Sequence, residues 1–186
     1  MPCQTPEDEF EDNEDDADFD EIITDRIAEL LGAVAKACGP HFATKFNILF
    51  EPILRFSKPT RTAKDRSMAI GIFGDIISIL GNQCTPYLET IYTIALAGAN
   101  DDDFNTRRNS IYTLGEACRI CGEQMSPVFS NILSAVRPHF KVRPGENNSV
   151  VDNALSAVAK MIIANMNAVP SLDAVLPVWL STLPVS

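Results

Sequence analysis

Histidine occurs only twice in these 186 residues, tryptophan once and tyrosine three times. His41 and His139 are far apart and have no Glu or second His at helical spacing, so the sequence offers no metal-binding pair. There is no nucleophile elbow and no Gly-rich phosphate loop following a strand, so no catalytic, cofactor-binding or metal-binding residue is expected and the chain does not read as an enzyme. Long apolar runs are also missing. The longest apolar region, Met68 to Leu80, is broken by Asp75, and none reaches the ~18 residues of a membrane span. The start, Met1-Pro2-Cys3-Gln4-Thr5-Pro6-Glu7, lacks the apolar stretch of a signal peptide. Five scattered cysteines are an odd number, which without a secretory signal suggests a reduced intracellular setting. Alternation of period two, the mark of a strand, is absent as well.

Charge, by contrast, is plentiful but uneven. The net charge is −10, with 25 acids and 15 bases. Eleven of those acids fall within residues 7–21, among them Glu14, Asp15, Asp16, Asp18 and Asp20, with no base between them. The rest of the chain is close to neutral. A block of like charge repels itself and buries little apolar surface, so residues 1–20 are expected to be an acidic disordered segment ahead of a folded part, residues 21–186. Its natural partners are Lys/Arg-rich proteins, not nucleic acid and not an anionic membrane.

The folded part repeats. Gly, six residues and Gly recur at Gly32/Gly39, Gly74/Gly81 and Gly115/Gly122, with Ala159 and Met166 at the two places in a fourth copy. Seven residues past the second Gly stand Phe46, Leu88 and Phe129, and Leu172 fits the fourth copy with one residue deleted. From each anchor, apolar residues follow at three, four and seven positions: Leu49, Phe50 and Ile53; Ile91, Tyr92 and Ala95; Ile132, Leu133 and Val136; Val175, Leu176 and Trp179. This is one stripe of an α-helix. The segment before each Gly pair is helical too, and its mid-helix small residue is expected where a neighbouring helix comes close. The second Gly is expected to end that helix in the left-handed region. Each unit is thus helix, tight turn, helix. A period of 40–47 residues with two helices indicates an all-α, HEAT-repeat α-solenoid of about four helix pairs. No polar cap follows the apolar last helix, so a fragment of a longer array is expected.

Two motifs bear on chemistry. Cys118-x-x-Cys121 matches a redox or zinc spacing, but it lies on the apolar stripe of a helix and has no further ligands at a suitable spacing. Buried structural cysteines are the expectation; a thiol enzyme is the alternative. The second motif is the polar face of the first helices. Asn109, Tyr112, Thr113 and Glu116 share one face in the third unit, Asp152, Asn153, Ser156 and Lys160 lie on the corresponding stretch of the fourth, and Asp75 is the equivalent of Glu116. On a concave solenoid surface, Asn side chains can bond an extended peptide's backbone and acids can take its Lys or Arg. The candidate cargo-binding residues are therefore Asp75, Asn109, Tyr112, Glu116, Asp152 and Asn153, together with the acidic segment. Met68 and Arg26 replace Asn in the second and first units, so any Asn ladder covers half the chain.

Four stretches carry a family resemblance: the acidic run Glu14-Asp15-Asp16-Ala17-Asp18-Phe19-Asp20 leading into a helix pair; Lys64 to Gly81; Arg107-Arg108-Asn109-Ser110-Ile111-Tyr112-Thr113-Leu114-Gly115; and Val151-Asp152-Asn153-Ala154-Leu155. From about residue 7 onward, the sequence resembles a C-terminal segment of a β-karyopherin (importin-β) nuclear transport receptor. The resemblance implies carriage of basic cargo such as core histones or ribosomal proteins, with shuttling between cytoplasm and nucleus. It implies nucleoporins and Ran as partners of the full-length receptor, Ran engaging chiefly repeats outside this stretch. It implies no nucleic acid partner and no membrane insertion. The competing expectation is a HEAT scaffold subunit that binds folded partners.

Overall fold

A computed structural model describes residues 14–144 and 146–182; for residues 14–25 and Pro40 it describes the backbone alone. Among the described residues nine α-helices follow one another: α1 Glu14–Cys38, α2 Ala43–Phe56, α3 Ala63–Leu80, α4 Thr85–Gly98, α5 Phe104–Ile120, the single turn α6 Gly122–Met125, α7 Phe129–Val136, α8 Ser149–Asn165 and α9 Leu172–Ser181. No strand occurs among the described residues. These are the four expected pairs. The first helices α1, α3, α5 and α8 pack side by side in chain order. The second helices lie against them, α2 on α3, α4 on α3 and α5, and α7 on α8. This is a HEAT-repeat solenoid.

The anchor stripes form the core between the layers. Phe46, Ile91, Phe129, Ile132 and Val136 are almost fully buried. Phe46, Phe50, Phe73 and Tyr87 meet in edge and tilted ring contacts, with centroids 4.7–5.9 Å apart, a geometry that suits the ring quadrupoles. In the fourth unit the stripe is less covered: Val175 is buried but Leu176 is exposed. Trp179 ties α9 to α8 by donating its indole N–H to the Leu155 carbonyl, 2.9 Å away.

Local chemistry sets the helix ends. Thr62 caps α3 by accepting the Asp65 N–H, and Asp103 caps α5 by accepting the Thr106 N–H at 2.7 Å; such caps contribute about 1 kcal/mol each. Gly39 and Gly81 take φ of +53° and +58° at the ends of α1 and α3, the left-handed geometry that glycine permits. Gly122 does not. Its reason is space: a Cβ there would lie 2.7 Å from the Ala164 Cβ. Hydropathy across Ala63–Gly98 reaches that of a membrane span. This stretch is nonetheless a helix pair turned at Gly81, and half of its most apolar window is buried in the stack.

One boundary differs from expectation. The backbone is helical from Glu14, so residues 14–20, assigned above to a disordered segment, form the first turns of α1. Carboxylates at a helix N-terminus face the positive end of its dipole, which lets an acidic run start a helix it would disfavour further along. Residues 1–13 lie outside the described residues.

Candidate functional site

The outer face of the first-helix layer carries a groove of about 1010 Å³. Its walls are Ala28, Glu29, Gly32, Ala33 and Lys36 of α1, Ser67, Met68, Gly71, Ile72 and Asp75 of α3, and Asn105, Arg108, Asn109 and Tyr112 of α5. Ala63, Lys64 and Asp103 close the end where α3 and α5 begin. The lining mixes small residues with long and charged ones. Three acids (Glu29, Asp75, Asp103) and three bases (Lys36, Lys64, Arg108) line it, so its charge balances while its chemistry is strongly polar. Such a surface accommodates an extended chain bearing charged side chains better than a small apolar molecule.

Why the groove opens here follows from how adjacent first helices are joined. Between α3 and α5 the contact is close and bonded. Asn109 donates Nδ2 to the Ser67 carbonyl at 2.9 Å and to its Oγ at 3.0 Å. Thr113 donates to the Ile70 carbonyl at 2.9 Å. Arg66 grips Asp101 with two N–H groups, at 3.0 and 2.8 Å. One repeat on, Asn153 donates to the Arg108 carbonyl at 3.0 Å. Arg107, 1% exposed, donates to the carbonyls of Asp101 and Asp102 at 2.7 Å and to the Glu146 carboxylate. Arg66–Asp101 and Arg107–Glu146 are thus the same device in successive repeats. At the α1–α3 joint, Met68 stands where the third and fourth units have Asn, and a Cβ on Gly32 would meet no atom within 4 Å. The helices part there and the groove floor appears.

The proposed cargo residues fall into two sets. Asp75, Asn109 and Tyr112 line the groove; Tyr112 donates its hydroxyl to Asp75 Oδ1 at 3.0 Å. Burial first, and then the Asp75 charge, raise the Tyr112 pKa, so it stays a neutral donor. Asp75 itself is exposed. Glu116, Asp152 and Asn153 lie outside the groove lining. Glu116 is buried and paired with Lys160 at 2.8 Å and Arg119 at 2.5 Å. Burial opposes its ionisation, but hydrogen bonds from Arg119 and Lys160 outweigh that and hold its pKa below the ordinary glutamate value. Asp152 is half-buried in the first turn of α8. The donor groups of Asn109 and Asn153 are spent on neighbouring helices, so these side chains set repeat spacing. The side chains of Glu14, Asp15, Asp16, Asp18 and Asp20 lie outside what the structure describes.

Sequence reading did not single out Glu29, Lys36, Lys64, Asp103 and Arg108 on the groove rim, nor the Arg66–Asp101 and Arg107–Glu146 links. The signal available was the 41-residue step from Arg66 to Arg107, each at the start of a first helix and each preceded by a polar connection. Cys118 and Cys121 are both buried as expected. Burial pushes the Cys118 thiol up to about 12, out of reach of thiolate chemistry near neutral pH. No group of three or more metal-type side chains occurs among the described residues.

Comparisons with known proteins agree with this architecture. The chain is 28% identical over 171 residues to "Probable importin subunit beta-4" of Schizosaccharomyces pombe, which covers 92% of the chain and 16% of that protein. It is 26% identical over 170 residues to importin-4 of Homo sapiens, covering 91% of the chain and 15% of that protein. Among solved structures, a Kap121p mutant matches 96% of the chain with a TM-score of 0.74 at 23% identity, a likeness of fold. No family model matches the chain. The chain therefore spans about a sixth of the length of these relatives. Its homologues over most of its length are importin-β family members.

Proposed function

We propose that this chain is a cargo-binding stretch of an importin-4-like nuclear import receptor, and that its groove takes an extended Lys/Arg-rich segment of cargo such as a core histone or ribosomal protein. The observation that carries this reading is the groove across α1, α3 and α5, with Glu29, Asp75 and Asp103 on its rim. Cargo Lys and Arg pair with these acids, and the Asp75–Tyr112 bond holds one of them in place. The acidic residues 14–21 belong to α1, the helix that forms one wall, and so add negative charge to an element of a groove whose own charges cancel. In the full-length receptor, nucleoporins and Ran are further partners, Ran acting chiefly through other repeats, and the receptor shuttles between cytoplasm and nucleus.

The test is fluorescence-anisotropy titration of a Lys-rich histone-tail peptide into the whole chain and into a version lacking residues 1–13, which spares α1. Each is run at low and physiological salt. Exposed charges are screened within about 8–10 Å at physiological ionic strength, so affinity falls steeply with salt. Binding that survives the truncation places the site on the helices, the acids of residues 14–21 among them; binding lost with it assigns the site to residues 1–13. If no peptide binds to either protein, the scaffold reading takes its place.

A further inference from the structure

The C-terminal ends of α3 and α5 hold a pair of thiols that the groove does not use. Cys84 ends the 3-10 turn Gly81–Cys84 that follows α3, and Cys121 follows the last residue of α5. They are 37 residues apart in sequence, 0% and 1% exposed, and their Sγ atoms are 3.3 Å apart. Cys84 closes that 3-10 turn and caps α4; Cys121 lies between α5 and α6 with φ −116° and ψ 40°. Turn segments can move the roughly 1.3 Å that separates this contact from a sulfur–sulfur bond of about 2.05 Å. Cys118, one turn earlier on α5, is buried but has no such contact with Cys121.

We propose that Cys84 and Cys121 form an oxidation-sensitive pair that closes to a disulfide on exposure to a small peroxide-class oxidant, stapling α3 to α5. The two sulfurs have different roles. The two sulfurs share one S–H hydrogen bond that either can donate; with Cys84 as the donor, it favours the Cys121 thiolate over that of Cys84. Cys121 is therefore the first to ionise. Its thiolate attacks hydrogen peroxide, the O–O bond breaks, and a sulfenic acid forms with release of hydroxide, which takes up the proton that the thiol lost and becomes water. The Cys84 sulfur, its proton lost to solvent, then attacks the Cys121 sulfur and expels hydroxide, which takes a proton to become a second water. Two thiols and one peroxide thus yield one disulfide and two waters. Oxidation of a thiol follows its thiolate character and exposure, so burial slows the first step, and a molecule close to water in size is the oxidant that suits this pair. The consequence is local: α3 and α5 are already tied near their N-terminal ends by Arg66–Asp101, and the staple ties the opposite ends, fixing the spacing of two groove walls.

The experiment uses the whole chain with Cys3→Ser and Cys38→Ser, which removes the exposed Cys38 and the thiol in the N-terminal segment. The folded protein is treated with stoichiometric hydrogen peroxide, quenched, unfolded, alkylated and mapped by mass spectrometry. The expected result is one Cys84–Cys121 linkage, a mass loss of two hydrogens, an alkylated Cys118 and a raised Tm reversed by dithiothreitol. Adding Cys84→Ser abolishes the Tm rise and leaves Cys121 as a sulfenic acid captured by dimedone; adding Cys118→Ser changes neither. Recovery of both thiols unmodified, a Cys118–Cys121 linkage, direct overoxidation of Cys121, or a disulfide formed only in urea would each overturn the proposal. Peptide binding is not part of the readout, so failure here is distinct from failure of the cargo reading.

Discussion

The α1–α3 and α3–α5 joints join equivalent helices of successive repeats, yet they are built differently. At α3–α5, Asn109 and Thr113 reach across to backbone carbonyls of α3. A Cβ on Gly74 would lie 2.6 Å from Thr113 Oγ1 and 2.8 Å from the Tyr112 ring. At α1–α3, Met68 replaces the Asn, and the equivalent Gly32 has open space above it. A closed joint satisfies its polar groups internally; an open one leaves walls that a partner can line. One repeat pattern therefore gives both a rigid stack and a binding groove, and a single column of residues decides which.

Breaking the closed side has the largest expected effect. Arg107→Ala leaves the Glu146 carboxylate and two loop carbonyls without their buried donor. Removing one member of a buried pair typically costs about 3–5 kcal/mol, read as a lower denaturation midpoint at unchanged m-value. Next comes the glycine contrast. Gly74→Ala forces Thr113 and Tyr112 apart and destabilises by roughly 1–3 kcal/mol. Gly32→Ala meets nothing and stabilises by up to about 1 kcal/mol through helix propensity. Equal effects at the two sites would remove the distinction between the joints. Asn109→Ala costs about 1 kcal/mol from its lost hydrogen bonds and widens the α3–α5 spacing, measurable as faster amide exchange in α5.

The smallest effect is one of pH. Glu116 and Asp101 both have folded pKa values below their ordinary ones. Burial opposes this in each, and it is outweighed by Arg119 and Lys160 for Glu116 and by Arg66 for Asp101. A depressed carboxylate pKa contributes stability above the unfolded-state value, and that stability is lost as pH falls through the folded value. Acid therefore loosens the α3–α5–α8 stack. Glu116→Gln flattens the acid limb of the stability–pH curve, and a curve identical to that of the unchanged chain contradicts its ion pairing.

Much of this was legible in the sequence because helical packing leaves a periodic trace. The Gly pairs and the Phe46, Leu88 and Phe129 anchors repeat at the period of the fold, and their burial follows. What escaped was direction. Asn109 and Asn153 share a polar face with Tyr112, but periodicity does not say whether an amide points to a ligand or to the next helix. Their Nδ2 groups donate to Ser67 and Arg108 carbonyls, contacts that exist only once repeats are stacked. Glu116 looked like a surface acid for the same reason; Lys160, 44 residues later, covers it. The groove rim was hidden because its residues come from three helices and follow no single spacing.

The most direct test of the open-joint account fills the groove without disturbing the stack. Gly32→Phe places a ring in the space above α1, and Lys-rich peptide affinity is then measured by anisotropy at low salt alongside the thermal midpoint. The account predicts at least a tenfold loss of affinity, about 1.4 kcal/mol, with the midpoint held. Unchanged affinity in a folded Gly32→Phe protein would contradict it and move the binding site off this face.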